Sequence, residues 1–225
     1  MKPRTSIWYN FKRQLWGCLL FVLVLSGCST TEKKPARVFS ANYISRSTRQ
    51  IDAAENKLKN GDIIFRNGND DVSEVARQMN RKDSSWSHCG ILFIENDSVV
   101  VYHALGGEYN PDMKLMREPL QLFCNPRENL AFGVYRFPLD SGQLYLLTQQ
   151  VKKHYRNGLK FDLFFNFDTD EFMYCTEFVF KSLNFSLGGK LTPSLRTDTI
   201  PYGVTTDDLF LHPDCKPVLK EIFLQ

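Results

Sequence analysis

The chain has 225 residues, 43% of them hydrophobic and 24% charged, enough for one domain with its own core and too few for a second of ordinary size. Its formal net charge is +3, but four of the 28 basic residues (Lys2, Arg4, Lys12, Arg13) and none of the acidic ones fall within the first 27 positions, which leaves 24 basic against 25 acidic. The mildly basic total therefore comes from the first 27 residues and says nothing of nucleic acid, and no nucleic-acid partner is expected.

The same four cations precede an apolar run from Leu15 to Leu25, and Leu25-Ser26-Gly27-Cys28 follows. A charged segment, an apolar stretch short for a membrane span and a small-residue cleavage site predict a signal peptide over residues 1–27. Its last four residues resemble the bacterial lipobox, which implies lipidation of Cys28. Ser29 stands where Asp would favour inner-membrane retention, so the resemblance implies an outer-membrane lipoprotein facing the periplasm. Residues 28–50 are polar without apolar periodicity and read as a lipidated tether, which leaves 51–225 as the folded domain.

Along the domain, Asn60-Gly61-Asp62 is a turn signal leading into a strand at Ile63-Ile64-Phe65, and Asp70 to Met79 reads as a helix opening on acidic residues. Two β-rich runs, Cys89 to Glu95 and Ser98 to Ala104, flank Asn96-Asp97, a two-residue hairpin connection. With that loop Glu95 faces Ser98 and Gly90 faces His103. His88 then lies on the face of His103 as a diagonal neighbour, roughly 7 to 8 Å away in backbone terms and within reach of two imidazoles. Any even-length loop keeps this relation, and an odd one breaks it.

A strand is predicted over Phe132 to Phe137 and a helix over Ser141 to Tyr155, with Leu144, Leu147 and Val151 on one face and Asn157-Gly158 as its stop. Phe178, Val179, Phe180 and Leu183 then recur at helical spacing after an acidic loop, which places Cys175 at a helix N-terminus.

A thiol attacks as thiolate, and a helix N-terminus with a nearby imidazole favours that form. Cys175 has the first by sequence, and His88 and His103 are the natural base and orienter. Each also has a bland use: a helix-start Cys is often a buried structural residue, and His103, among Val99, Val100, Val101, Tyr102 and Ala104, fits a core position. A zinc site from Cys175, His88 and His103 has the right residue types but no close ligand spacing, so no metal is expected.

Three motifs, Gly61-Asp62-Ile63-Ile64-Phe65, Trp86-Ser87-His88-Cys89-Gly90-Ile91 and Tyr174-Cys175-Thr176-Glu177-Phe178-Val179, together with Phe161-Asp162-Leu163-Phe164-Phe165, occur in the order and spacing of one family. The chain resembles the YiiX/YaeF-like, circularly permuted branch of the NlpC-type papain-like cysteine hydrolases over about residues 58 to 185. The resemblance implies an α+β fold in which a small antiparallel sheet packs against the helix carrying the nucleophile. His88 precedes Cys175 by 87 residues, the reverse of ordinary papain-like order, as a permutation would give.

Carried over, Cys175 matches the nucleophile, His88 the base and His103 the orienting residue. Relatives usually have Glu at that last position. His103 keeps an orienter without a fixed negative charge, so the thiolate–imidazolium pair should be weaker, and His103→Glu should strengthen it. Asp62 is expected to fix the turn into its strand, and Glu177 to face solvent or cap its helix. The oxyanion site would use the Cys175 backbone N–H, with Tyr174 as a neighbour. His154 and His212 are expected at the surface. Cys89, Cys124, Cys175 and Cys215 allow three full pairings; a reduced Cys175 favours a Cys124–Cys215 bridge.

The expected function is a hydrolase without metal or organic cofactor, cleaving amide or ester bonds of cell-wall peptides or N-acyl and lipid-like substrates through a Cys-His-His thioester mechanism. The same residues serve an acyltransferase of lecithin:retinol type, or a lipid- or peptide-binding module whose cysteine is retired. Most of Phe161, Phe164, Phe165 and Phe167 are expected in the core. The sequence carries no signal of oligomeric state.

Overall fold

The computed structural model describes residues 38–108, 110–191 and 203–224. The signal peptide, Cys28 and the first ten residues of the expected tether (28–37) lie outside the described residues.

Six strands form one antiparallel sheet: β1 (Ile63–Gly68), β2 (His88–Glu95), β3 (Ser98–His103), β4 (Met116–Pro119), β5 (Asn129–Arg136) and β6 (Lys216–Ile222), in the order β4-β3-β2-β1-β5-β6. The sheet sits between two apolar layers because its strands alternate: Ile63, Phe65, Cys89 and Ile91 face one way, and Ile64, Leu92, Val101 and Phe132 the other.

On the first face lie α4 (Ser141–Arg156) and α5 (Cys175–Ser186). Leu147 and Val151 of α4 and Phe178, Val179 and Leu183 of α5 are completely buried there. Each such side chain contributes about 1.5 to 3 kcal/mol of transfer free energy, which holds the N-terminus of α5 against the sheet. The short helix α6 (Thr206–Phe210) joins the same layer through Leu209 and Phe210. The expected architecture, an antiparallel sheet packed on the Cys175 helix, is what the chain adopts.

The second face carries α1 (Ala41–Glu55) and α3 (Leu120–Phe123); α2 (Asp71–Gln78) follows β1. Helix α1 corrects the tether, which ends before it. Ser40 caps this helix by accepting the Tyr43 N–H, and Tyr43, Ser47, Ile51 and Ala54 form its buried stripe. That stripe escaped the periodicity because a serine fills one of its positions and Arg, Thr and Gln surround it.

The expected Cys124–Cys215 bridge is also corrected. Cys124 is packed in the layer of α1 and α3 and Cys215 in the layer of α4 and α5, so the sheet separates them, and Cys89, Cys124, Cys175 and Cys215 are all free thiols.

The hairpin between β2 and β3 has the anticipated register, with Glu95 opposite Ser98 and Ile91 opposite Tyr102. Asn96 and Asp97 both take positive φ, 49° and 60°, as a two-residue turn of the mirror-image type requires.

Candidate active site

Cys175 is the first residue of α5, preceded by Tyr174 at the N-cap. Its backbone N–H belongs to the turn that no helical carbonyl satisfies, so it points toward an incoming anion. The thiol is half-buried, whereas the three residues after it are buried. The cap is built by Glu177, whose carboxylate accepts the Tyr174 N–H at 3.3 Å and lies 2.9 Å from Lys181 Nζ. Glu177 therefore caps the helix, as one expectation had it, and does not face solvent. Burial raises its pKa to about 7, against the pull of Lys181.

The two histidines meet as the register requires. His88 Nε2 and His103 Nδ1 are 2.8 Å apart, and both rings lie against Phe123 of α3. His103 Nε2 is in turn 2.9 Å from a carboxylate oxygen of Glu118 on β4. Glu118 faces Val101 across the β3–β4 pair, and His103 faces Met116, so Glu118 is the diagonal neighbour of His103 on the same face. On the other side Arg66 of β1 is directly opposite His88. Its guanidinium lies 4.8 Å from the Phe123 ring centroid and donates to the Phe123 carbonyl at 3.2 Å. Four adjacent strands thus contribute one polar row, Arg66, His88, His103 and Glu118, the first three lying against the Phe123 ring.

The row corrects the expectation that His103 leaves the site without a fixed negative charge, because Glu118 supplies one a strand further on. Sequence reasoning missed both ends of the row. Met116 to Pro119 is too short to show alternation, and the connection after His103 gives no register for it. Arg66 was legible only as the continuation of Ile63-Ile64-Phe65.

Burial pushes both imidazoles below the ordinary histidine value. The Arg66 charge adds to this at both rings, His103 adds to it at His88, and Glu118 partly offsets it at His103. Both rings are therefore neutral at neutral pH. Glu118 stays ionised: its bond to His103 and the Arg66 charge outweigh its burial.

Cys175 meets the hairpin through Cys89, the neighbour of His88 on the opposite face of β2. The Cys89 thiol is the largest influence lowering the Cys175 pKa; the backbone N–H groups of Cys89 and Thr176 and the Arg66 charge assist, against burial. The Cys89 thiol is itself pushed well up by its burial. Among the described residues no hydrogen bond joins Cys175 to His88, so the structure brings the two histidines together and sets Cys175 beside their strand.

A cavity of about 60 Å³ opens at the thiol, lined by Met79, Phe165, Tyr174, Gly203 and Thr206 among others. Asp162 shapes one wall by accepting the N–H groups of Phe164 at 2.8 Å and Asn166 at 2.5 Å, which holds Phe165 at positive φ. Of the four phenylalanines, Phe161 and Phe167 pack against the core, Phe164 is 87% exposed, and Phe165 lines the cavity. Next to the cavity-lining Thr206, Asp207 accepts N–H groups of Arg81 and Lys82 at 2.9 and 2.7 Å and ties their loop to α6. The Tyr174 hydroxyl accepts the Val204 N–H at 3.1 Å and is thus occupied with the segment just before α6.

Asp62 does what its turn position suggested, accepting the Lys59 N–H and a two-pronged bond from Arg136. His154 is half-buried and bonded to Gln150, and His212 packs on Phe137, so neither is as exposed as expected. Among the described residues no group of three or more His, Cys, Asp or Glu side chains is arranged to hold a metal ion.

A thiol at a helix N-terminus, facing a cavity and packed on an antiparallel hairpin that carries a pair of histidines, defines the papain-like class of thiol hydrolases. The family described as the permuted papain-like amidase enzymes, YaeF/YiiX, C92 family, matches over residues 57–199, and the chain belongs to it. It is accordingly a cysteine hydrolase of amidase type. Its fold is similar to a crystal structure described as the metalloprotein yiiX from Escherichia coli O157:H7, with TM-score 0.59 and 23% sequence identity over 74% of this chain and 99% of that one. A search of the curated proteins gave no match.

Proposed function

We propose that Cys175 attacks the carbonyl carbon of an amide, with His88 as the base that takes the thiol proton. His88 Nδ1, the ring nitrogen not used in the bond to His103, is the one left to take that proton; because Cys175 meets β2 through Cys89 on the other face, the transfer needs His88, the first residue of the strand, to turn toward the thiol in the substrate complex. The oxyanion forms against the Cys175 N–H. The amine leaves with the proton held by His88, and a thioester remains on Cys175. Water, deprotonated by His88, attacks the thioester, releases the acid and restores the thiol. No step is routed through a metal, because the donor set among the described residues does not fit one.

The observation that carries this proposal is the half-buried Cys175 at the mouth of a cavity, packed on the strand that carries His88, which is bonded to His103 on its other face. A cavity of about 60 Å³ receives only the reacting end of a substrate, well below the roughly 300 to 1,000 Å³ of a site that encloses a small molecule. The rest of the substrate therefore extends outside, which suits cell-wall peptides and N-acyl or lipid-like amides alike. The lipobox-like run ending at Cys28 supports an outer-membrane anchor that holds the enzyme on the periplasmic side, next to both substrate classes.

Peptide-resolved alkylation of the full chain with iodoacetamide across pH tests the proposal. Cys175 should react below the pH at which Cys89, Cys124 and Cys215 do, and His88→Ala should slow it. Equal, ordinary reactivity of Cys175 in both proteins would overturn the proposal and leave a binding module. A panel of cell-wall peptides and N-acyl amides, with and without an added amine acceptor, then fixes the substrate and separates hydrolysis from acyl transfer.

A further inference from the structure

We propose that Glu118 is a positioning residue that sets the tautomers of both histidines, so that the lone pair of His88 lies on Nδ1. The inference deepens the assignment of His88 as base.

The reasoning is a count of protons. An ionised carboxylate only accepts hydrogen bonds, and at 2.9 Å its negative charge favours a proton over a lone pair on the Nε2 of His103, which has no other partner among the described residues. His103 is neutral, so its Nδ1 carries none and accepts. At 2.8 Å the Nε2 of His88 must then donate. His88 is neutral as well, so its remaining nitrogen, Nδ1, holds a lone pair. One carboxylate two strands from His88 thereby decides which of its nitrogens can take a proton.

The row is built to keep this order. Each of the three residues is a diagonal neighbour of the next on one sheet face, so backbone register fixes the spacing. His103 is completely buried, and water cannot supply a competing partner. The charged and titratable groups facing the row are Arg66 from β1, Cys124 after α3 and, through Arg66, Asp70 and Glu128. Arg66 holds Glu118 ionised and opposes imidazolium at both rings. Without Glu118, His103 could donate from Nδ1, and His88 would then be forced to accept at Nε2 and carry its proton on Nδ1, the nitrogen that has to take one.

The test is the tautomer itself, read by two-bond proton–nitrogen correlation on the full chain labelled with ¹⁵N-histidine at pH 7.5. His88 and His103 should both carry the proton on Nε2. In Glu118→Ala that single pattern should be lost, and the iodoacetamide rate of Cys175 at pH 7 should fall at least about tenfold, given that general-base help is worth about 10² to 10⁴. Glu118→Asp, which keeps an acceptor, should restore the pattern and part of the rate. A proton on Nδ1 of His103 in the wild type overturns the inference without any variant, as does an unchanged pattern and pH profile in Glu118→Ala. If instead Cys175 is unreactive in the wild type, the hydrolase mechanism fails while the tautomer pattern still decides the role of Glu118.

Discussion

His88 Nε2 and His103 Nδ1 lie 2.8 Å apart, joined across a hairpin whose two-residue loop puts both on one face. The row continues to Glu118, 2.9 Å from His103 Nε2, and this changes what a carboxylate at position 103 would do. Substituting His103→Glu restores the residue usual among relatives, but the new carboxylate would face that of Glu118, and two carboxylates in one buried site do not both ionise readily. The variant should therefore lose reactivity, with iodoacetamide labelling of Cys175 at pH 7 slower by about tenfold or more, a part of the 10² to 10⁴ a general base supplies. Faster labelling would mean that Glu118 does not act on the pair.

Gly90 leaves room for that pair. A Cβ there would lie 2.7 Å from the Tyr102 carbonyl oxygen and 3.0 Å from His103 Cβ. Because a backbone atom is among the neighbours, the clash cannot be relieved by a side-chain rotation. Gly90→Ala should destabilise the fold by about 1 to 3 kcal/mol, as overpacking does, measured by urea denaturation. It should also disturb the His88–His103 bond, visible in the imidazole correlation spectrum.

Cys89 is the largest influence lowering the Cys175 pKa. Cys89→Ala removes the thiol and keeps the backbone N–H, so the midpoint of Cys175 alkylation against pH should move upward while the fold persists. An unmoved midpoint would leave the helix N-terminus and Arg66 as the activating groups.

What was legible in the sequence was local. Asn96-Asp97 named its own turn, so the register of β2 on β3 and the shared face of His88 and His103 followed by counting. The acidic loop before an apolar helical pattern placed Cys175 at the start of α5. What was not legible depended on distant pairing. Glu118 reaches His103 through a four-residue strand ending in proline, after a connection whose length fixes nothing. Ser47 occupies a buried position of α1, so that helix read as a tether. The cysteines could be ranked as pairs only by elimination, and nothing local says that Cys124 and Cys215 lie on opposite faces of the sheet.

The buried imidazoles also set how stability depends on pH. In the unfolded chain both histidines take up protons below about pH 6.5. In the folded protein burial, assisted by Arg66, holds them neutral to lower pH. Below about 6.5 the unfolded state therefore binds more protons, and stability falls as pH falls, by at most about 1.4 kcal/mol per pH unit for each histidine, until the folded-state values are reached. Glu177 works in the opposite sense. Its pKa is raised from 4.5 to about 7, so between those values the folded state binds more protons, and acidification stabilises it. The two effects overlap between pH 5 and 6.5 and partly cancel. Glu177→Gln removes one of them, so its stability in urea should fall more steeply than that of the wild type between pH 6.5 and 5, whereas His88→Gln should flatten the dependence. Parallel curves for wild type and His88→Gln would show that His88 is not held neutral in the fold, and with it the proton order proposed for the row would fail.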